Sequence, residues 1–107
     1  MSDLKIQGVI LDAISMLKPD LDRIERCDSD LARQLRRAAA SMALNTSEGA
    51  YSRAGNKKLR FHSALGSARE TLMCIEVAVL LGYVDRVDAR LAQRMDQILG
   101  TLTNLTR

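Results

Sequence analysis

Aromatic side chains and turn-forming residues are scarce in this sequence. Of its 107 residues only Tyr51, Phe61 and Tyr83 are aromatic, and the chain contains one proline and six glycines. An all-β sandwich or barrel depends on aromatic and β-branched side chains and on repeated turns, so the composition argues against that class. Leu, Ala, Met and Arg, which favour helices, dominate instead. We therefore predict an all-α fold.

Cysteines and long apolar runs are also few. Cys27 and Cys74 form neither a disulfide framework nor a metal-ligand spacing, so we expect two free thiols in a reducing compartment. The longest apolar run, residues 77–81, is five residues long, far below the roughly 20 residues of a membrane-spanning helix. No signal-peptide pattern begins the chain. These features predict a cytoplasmic protein with no membrane contact.

Residue patterns typical of enzymes are missing as well. His62 is the only histidine, and no orienting partner or nucleophile accompanies it in a recognisable order. Glu70 and Glu76 lack the Glu-x-x-His spacing of di-iron bundles. No glycine-rich phosphate loop, catalytic triad order or zinc spacing occurs. We expect no enzymatic activity, no catalytic residue, no metal and no cofactor.

Apolar residues recur every three or four positions in four segments, which predicts four amphipathic helices. The first starts near Leu4, and Pro19 inside it predicts a kink or a restart. The second follows an N-cap at Ser29 or Asp30. The third runs from about residue 56 to 81 and ends at Gly82, and the fourth follows Tyr83 with Asp85 as the candidate cap. Short connections predict one domain over residues 1–107, an antiparallel up-and-down four-helix bundle.

The net charge of +3 is unevenly distributed along the chain. Residues 1–30 carry four basic and seven acidic side chains, residues 33–60 carry seven basic side chains against Glu48 alone, and residues 61–107 carry five of each. Residues 33–60 therefore have a local net charge of +6, and a polyanion would bind to this segment. The candidate nucleic-acid-binding residues are Arg33, Arg36, Arg53, Lys57, Lys58 and Arg60. A solvated face with internal ion pairs is the alternative interpretation.

Polar residues at helical spacing form a second candidate cluster. Asn45 and Glu48 share a helix face with Arg37, and Glu70 lies on the next helix. We expect a structural polar network in which Arg37 pairs with Glu48 or Glu70 and Asn45 satisfies backbone groups, because buried polar groups must be hydrogen-bonded. A functional polar site in the bundle is the alternative.

The third predicted helix carries more apolar surface than one bundle core can cover. From Leu72 to Leu81 apolar side chains point in nearly every direction, and a helix of this kind is buried on more than one side. We therefore predict a homo-oligomer whose interface contains Met73, Val77, Leu80 and Leu81.

Three blocks of sequence resemble a known family. They are residues 34–41 (QLRRAAAS) followed by Asn45, Glu48 and Gly49, then Gly66, Ser67 and Glu70, and finally residues 81–84 (LGYV). Together they resemble the bacterial four helix bundle protein family, first noticed in intervening sequences of large-subunit ribosomal RNA genes. Two features depart from its pattern: residues 46–47 are hydroxylic rather than apolar, and the segment from Pro19 to Gln34 is longer and more acidic.

The resemblance implies an up-and-down bundle that assembles as a ring-shaped homo-oligomer, in particular a pentamer. A distant relative is the accessory protein of diversity-generating retroelements, which implies RNA or DNA and a reverse transcriptase as candidate partners. Two functions remain open at this point. One is an oligomeric nucleic-acid-binding accessory factor, and the other is a helical protein–protein adaptor with no nucleic-acid role.

Overall fold

The computed structural model describes the backbone of residues 3–107, and side chains from Lys5 onward with the exception of Ala54. Four helices account for most of this part of the chain, and it contains no strand. They are α1 (Asp3–Cys27), α2 (Ser29–Tyr51), α3 (Ala54–Leu80) and α4 (Ala89–Leu105). The all-α fold predicted from the composition is confirmed.

Side-chain contacts between the helices fix their directions. Arg94 of α4 binds Asp12 of α1, and Arg23 further along α1 binds Asp85 just before α4, so these two helices run in opposite directions. Helices α2 and α3 are likewise antiparallel, since Ser41 contacts Ser67 and Glu48 binds Arg60. Each helix packs against its two neighbours in the cyclic order α1, α2, α3, α4. This packing is that of a helical bundle.

The core runs the length of the bundle and is supplied by all four helices. Its large side chains are fully buried and recur at the three- and four-residue spacing seen in the sequence. Representative members are Ile6, Ile10, Leu17, Ile24, Leu35, Met42, Phe61, Ile75, Leu91, Met95, Ile98 and Leu102. None of the helices within residues 3–107 has the length and apolarity needed to cross a bilayer.

Helix α1 continues through Pro19 as a single helix of 25 residues. Proline removes one backbone hydrogen bond, but Leu17 and Ile24 on either side are fully buried, and their packing offsets that loss. The restart allowed by the sequence does not occur.

The two predicted N-caps lie one position or more from the observed ones. Asp28, not Ser29 or Asp30, caps α2 by accepting a hydrogen bond from the Leu31 amide at 3.0 Å. Asp88, not Asp85, caps α4 and accepts from the amides of Arg90 and Leu91. The predicted end of α3 is confirmed, because Gly82 has φ +80° and the Tyr83 amide donates to the Ala78 carbonyl.

Removing the Asp28 carboxylate is predicted to destabilise the bundle at this end. Asp28 caps α2 and also accepts a hydrogen bond from the Tyr83 hydroxyl at 3.3 Å, which ties the α3–α4 link to the α1–α2 turn. Losing an N-cap costs about 1 kcal/mol, so Asp28→Ala should lower the melting temperature by about 4–8 °C. Tyr83→Phe removes only the second bond and should have the smaller effect; equal melting temperatures for Asp28→Ala and the wild type contradict this account.

Candidate nucleic-acid interface

Three of the six predicted nucleic-acid-binding residues are paired with carboxylates of the same chain. Arg33 binds Asp30 one turn earlier on α2. Arg36 lies 3.5 Å from Glu25 of α1, across the helix interface. Arg60 of α3 binds Glu48 of α2 at 3.0 Å. These guanidinium groups are partly neutralised, and Arg33 and Arg36 lie toward the bundle end that contains the α1–α2 turn.

The other three predicted residues lie together at the turn between α2 and α3. Helix α2 is closed by Ser52, whose amide donates to Gly49 O and whose hydroxyl donates to Glu48 O. Arg53 and Lys58 are exposed and form no ion pair with any described residue. Lys57 places its ammonium 5.9 Å from the centre of the Phe61 ring, within the range of a cation–π contact.

The start of α3 adds to the positive potential at this turn. No acidic residue occupies its first turn, and its N-cap position, held by Arg53, provides no side-chain cap. The first amide groups of a helix carry partial positive charge and favour anions. Two exposed cationic side chains therefore lie beside a helix terminus of the same sign.

The antiparallel topology brings two further cations to the same end of the molecule. Lys5 lies near the start of α1, and Arg107 follows the end of α4. We call this end, formed by the α1 start, the α2–α3 turn and the α4 end, the cationic end. Lys5 and Arg107 were not among the binding residues predicted from the sequence, although the predicted up-and-down topology places both at the cationic end.

The two halves of the bundle along its long axis differ in net charge. The half with the cationic end, residues 3–14, 41–67 and 98–107, has six basic side chains and three acidic ones. The other half, residues 15–40 and 68–97, has ten of each. The net charge of +3 is therefore carried entirely by the half that contains the α2–α3 turn.

The predicted polar cluster divides into separate interactions. Glu48 binds Arg60 rather than Arg37. Asn45 donates to the carbonyl and the hydroxyl of Ser41, both at 3.0 Å, and Ser41 contacts the hydroxyl of Ser67 at 2.8 Å. Polar contact between α2 and α3 is therefore made by the Ser41–Ser67 hydroxyl pair as well as by the Glu48–Arg60 ion pair. Arg37 and Glu70 make no ion pair with a described residue and line an open groove of about 400 Å³ with Gln34, Ala38 and Ser41.

The predicted oligomer residues lie largely on the surface of the single chain. Met73, Leu80 and Leu81 are 58%, 85% and 57% exposed, and Val77 is half-buried. We call these four residues the α3 apolar surface. Three other leucines are similarly exposed on other parts of the bundle and were not singled out from the sequence: Leu11, Leu44 and Leu59.

Perturbed acid–base groups lie away from the cationic end. Burial, and secondarily Glu70, raise the pKa of Cys74. Desolvation, followed by the Asp28 carboxylate, raises the pKa of Tyr83. Burial raises the pKa of Asp20, with Arg23 opposing that change and Asp88 adding to it. Among the described residues no three His, Cys, Asp or Glu side chains are grouped to hold a metal ion.

Comparison with protein families places the chain. A family model described as 23S rRNA-intervening sequence protein matches residues 17–104. The chain belongs to that family. The match covers α2 and α3 completely, α4 except for its last residue, and the second part of α1. No curated protein and no solved structure matches the chain.

Proposed function

We propose that this 23S rRNA-intervening sequence protein acts by binding rather than catalysis, as a nucleic-acid-binding accessory factor whose contact surface is the cationic end. The observation that supports this most directly is the concentration of the whole net charge of +3 in the half with the α2–α3 turn. Arg53 and Lys58 are the central residues because they are exposed and have no carboxylate partner among the described residues.

The chemistry of this surface favours contact with phosphates over contact with bases. Sequence-specific recognition of single strands relies on aromatic stacking, and Tyr51, 75% exposed, is the one exposed aromatic near the turn. A surface of lysine and arginine releases counterions from a duplex or a structured RNA with little dependence on sequence. The family description names a 23S rRNA intervening sequence, so structured RNA is the first probe to use.

Binding is expected to depend on the unpaired cations more than on the paired ones. In Arg53→Ser/Lys58→Ser, affinity for a labelled RNA hairpin should fall, and the slope of log affinity against log salt should decrease by about 2, since each lost phosphate contact removes about 1. Fluorescence anisotropy over a range of salt concentrations measures both quantities. A DNA duplex of equal length should show similar losses.

Arg33→Ser/Arg36→Ser is the matched control for this experiment. It removes the same formal charge, but from guanidinium groups that already bind Asp30 and Glu25, so its effect should be smaller. Equal losses for the two double variants would argue for net charge without a defined surface. Wild-type protein that binds neither RNA nor DNA at low salt excludes the proposal and favours the protein–protein adaptor.

We propose in addition that the protein assembles with copies of itself through the α3 apolar surface. Contiguous exposed apolar side chains of this size are a feature of interaction sites, and closed rotational symmetry is the usual solution for identical chains. The family resemblance leads us to expect five copies. A ring would place every cationic end on one face and raise avidity without new contacts.

A further inference from the structure

Gly66 lies in the middle of α3, where a glycine costs stability relative to alanine and so calls for a reason. Its backbone is not in the left-handed region, since Gly82 is the one glycine of the described chain with positive φ. Apart from its two chain neighbours and the adjacent backbone of α3, no atom of the chain lies within 4 Å of the place where a Cβ would be. Neither local conformation nor close packing within the chain accounts for this glycine.

Exposed apolar side chains lie two turns before and two turns after Gly66 on the helix surface, while its nearer surface neighbours, His62, Ser63, Arg69 and Glu70, are polar. Leu59 and Met73, seven residues before and after it, are 62% and 58% exposed, and a spacing of seven keeps all three on one stripe of the helix. The exposed glycines Gly8 and Gly100 also have open space around them, but their neighbours at this spacing are not pairs of apolar side chains. We call the stripe formed by Leu59, Gly66 and Met73 the α3 notch.

A second surface with exposed apolar side chains lies between α1 and α2. Leu11 and Leu44 are 62% and 64% exposed and border a groove of about 210 Å³ whose described lining side chains include none with a charge. A cavity of roughly 150 Å³ holds a benzene ring, so this groove has room for one aliphatic side chain. Its remaining lining residues are Gln7, Ile10, Ala43 and Ser47.

The two surfaces lie at the same height along the bundle. Ser41 contacts Ser67 and Glu48 binds Arg60, so the part of α3 level with Leu44 falls between residues 60 and 67, close to Gly66. A rotation axis parallel to the bundle leaves the height of every residue unchanged. In a ring around such an axis, equal height allows the α1–α2 groove of one copy to contact the α3 notch of the next.

Charged residues next to the two surfaces are complementary at a second height. Two contacts between α1 and α2 mark their relative heights: Glu25 is level with Arg36, and Leu11 is level with Leu44. Lys18 lies midway between Leu11 and Glu25, so it is level with about residue 39 or 40 of α2. Glu70 of α3, one turn beyond Gly66, corresponds to about residue 38 by the Ser41–Ser67 contact. Both side chains are exposed, although Lys18 also lies 3.8 Å from Asp22 on its own helix. Opposite charges at nearly the same height favour this register.

We propose that the α1–α2 groove of one copy receives the α3 notch of a neighbouring copy, with Leu44 covering Gly66, Leu59 entering the groove and Lys18 facing Glu70. The proposal rests on the self-assembly proposed above and specifies its second surface and register. The contact is heterologous, because α3 is diagonal to α1 in the bundle and the two surfaces face different directions. Heterologous contacts of this kind close into rings when the rotation allows it.

A larger side chain at Gly66 tests the proposed contact, because it should block assembly without destabilising the single chain. Gly66→Leu replaces a poor helix former with a good one, at an exposed position where an added Cβ has open space around it. We expect helix content and melting temperature to be kept or raised while the mass by light scattering falls to 11.8 kDa. Gly100→Leu, the control on α4, should keep the multimeric mass; a Gly66→Leu protein that also keeps it overturns the proposal.

Cross-linking distinguishes this contact from other modes of assembly. In a Cys27→Ser background, which removes the exposed thiol, Leu44→Cys/Gly66→Cys treated with a short bifunctional maleimide should give a ladder of covalent multimers, whereas either cysteine alone should give single chains. Dimers from one single-cysteine variant indicate an isologous contact and overturn the proposal. A multimeric protein without the ladder overturns this contact alone, and a monomeric wild type overturns both this contact and the self-assembly proposal.

Discussion

Replacing Leu80 with Glu is expected to dissociate the assembled protein into single chains of 11.8 kDa with unchanged helix content. Leu80 is 85% exposed in the single chain, so the substitution removes little packing within the bundle. Burying an unpaired carboxylate in an apolar contact costs several kcal/mol, and the apolar stabilisation of about 25 cal/mol per Å² is lost with it. Every copy carries the change, so each contact in a ring is weakened.

Light scattering measures the mass of the assembly, and circular dichroism on the same samples measures helix content. Gln93→Glu introduces the same charge at an exposed position of α4 and should leave the mass unchanged. A Leu80→Glu protein with the mass of the wild-type assembly would exclude the α3 apolar surface from the interface. A wild-type protein that is already monomeric at micromolar concentration would remove the self-assembly proposal itself.

The helices could be predicted from the sequence because their apolar spacing is long and regular. Met95, Ile98 and Leu102 of α4 are fully buried, as their spacing predicts. Local signals failed where several equivalent residues stood close together. Asp28, Ser29 and Asp30 are all good N-caps, and the choice of Asp28 coincides with a tertiary hydrogen bond from Tyr83, 55 residues away.

The start of α4 was misplaced for a related reason. Val84 continues the apolar spacing of α4 and is 3% exposed, so the pattern extended the helix toward Tyr83. In the structure Val84 packs into the core from the link before α4, which begins at Ala89 behind the Asp88 cap. Burial identifies a residue as part of the core without showing that it belongs to a helix.

The candidate interface was less predictable than the fold because charge pairing depends on helix register. The Arg33–Asp30 pair follows from a spacing of three on one helix. Arg36–Glu25 and Arg60–Glu48 join different helices, and their partners become known only when the bundle is assembled. The sequence therefore located the cationic segment but could not separate its paired arginines from the unpaired Arg53 and Lys58.

Gly49 is the position where a larger side chain is expected to damage the fold and the cationic end together. A Cβ built there would lie 2.8 Å from Cε1 and 2.9 Å from Cδ1 of the Phe61 ring. Phe61 is 1% exposed, so the ring has no open space beside it. The Phe61 ring also lies under the ammonium of Lys57, and Glu48, the residue next to Gly49, binds Arg60. Displacing the Phe61 ring therefore shifts the α2–α3 turn, which carries the cations.

Gly49→Leu should destabilise the protein by about 3 kcal/mol through overpacking, which corresponds to a fall in melting temperature of about 12–24 °C. Gly100→Ala on α4, where nothing lies within 4 Å of the added Cβ, should instead stabilise the helix by about 0.5–1 kcal/mol. Because the cause is one contact, Phe61→Leu in the Gly49→Leu background should recover part of the loss, although Phe61→Leu alone is destabilising. Additive losses in the double variant would show that the clash with the Phe61 ring is not what requires glycine at this position.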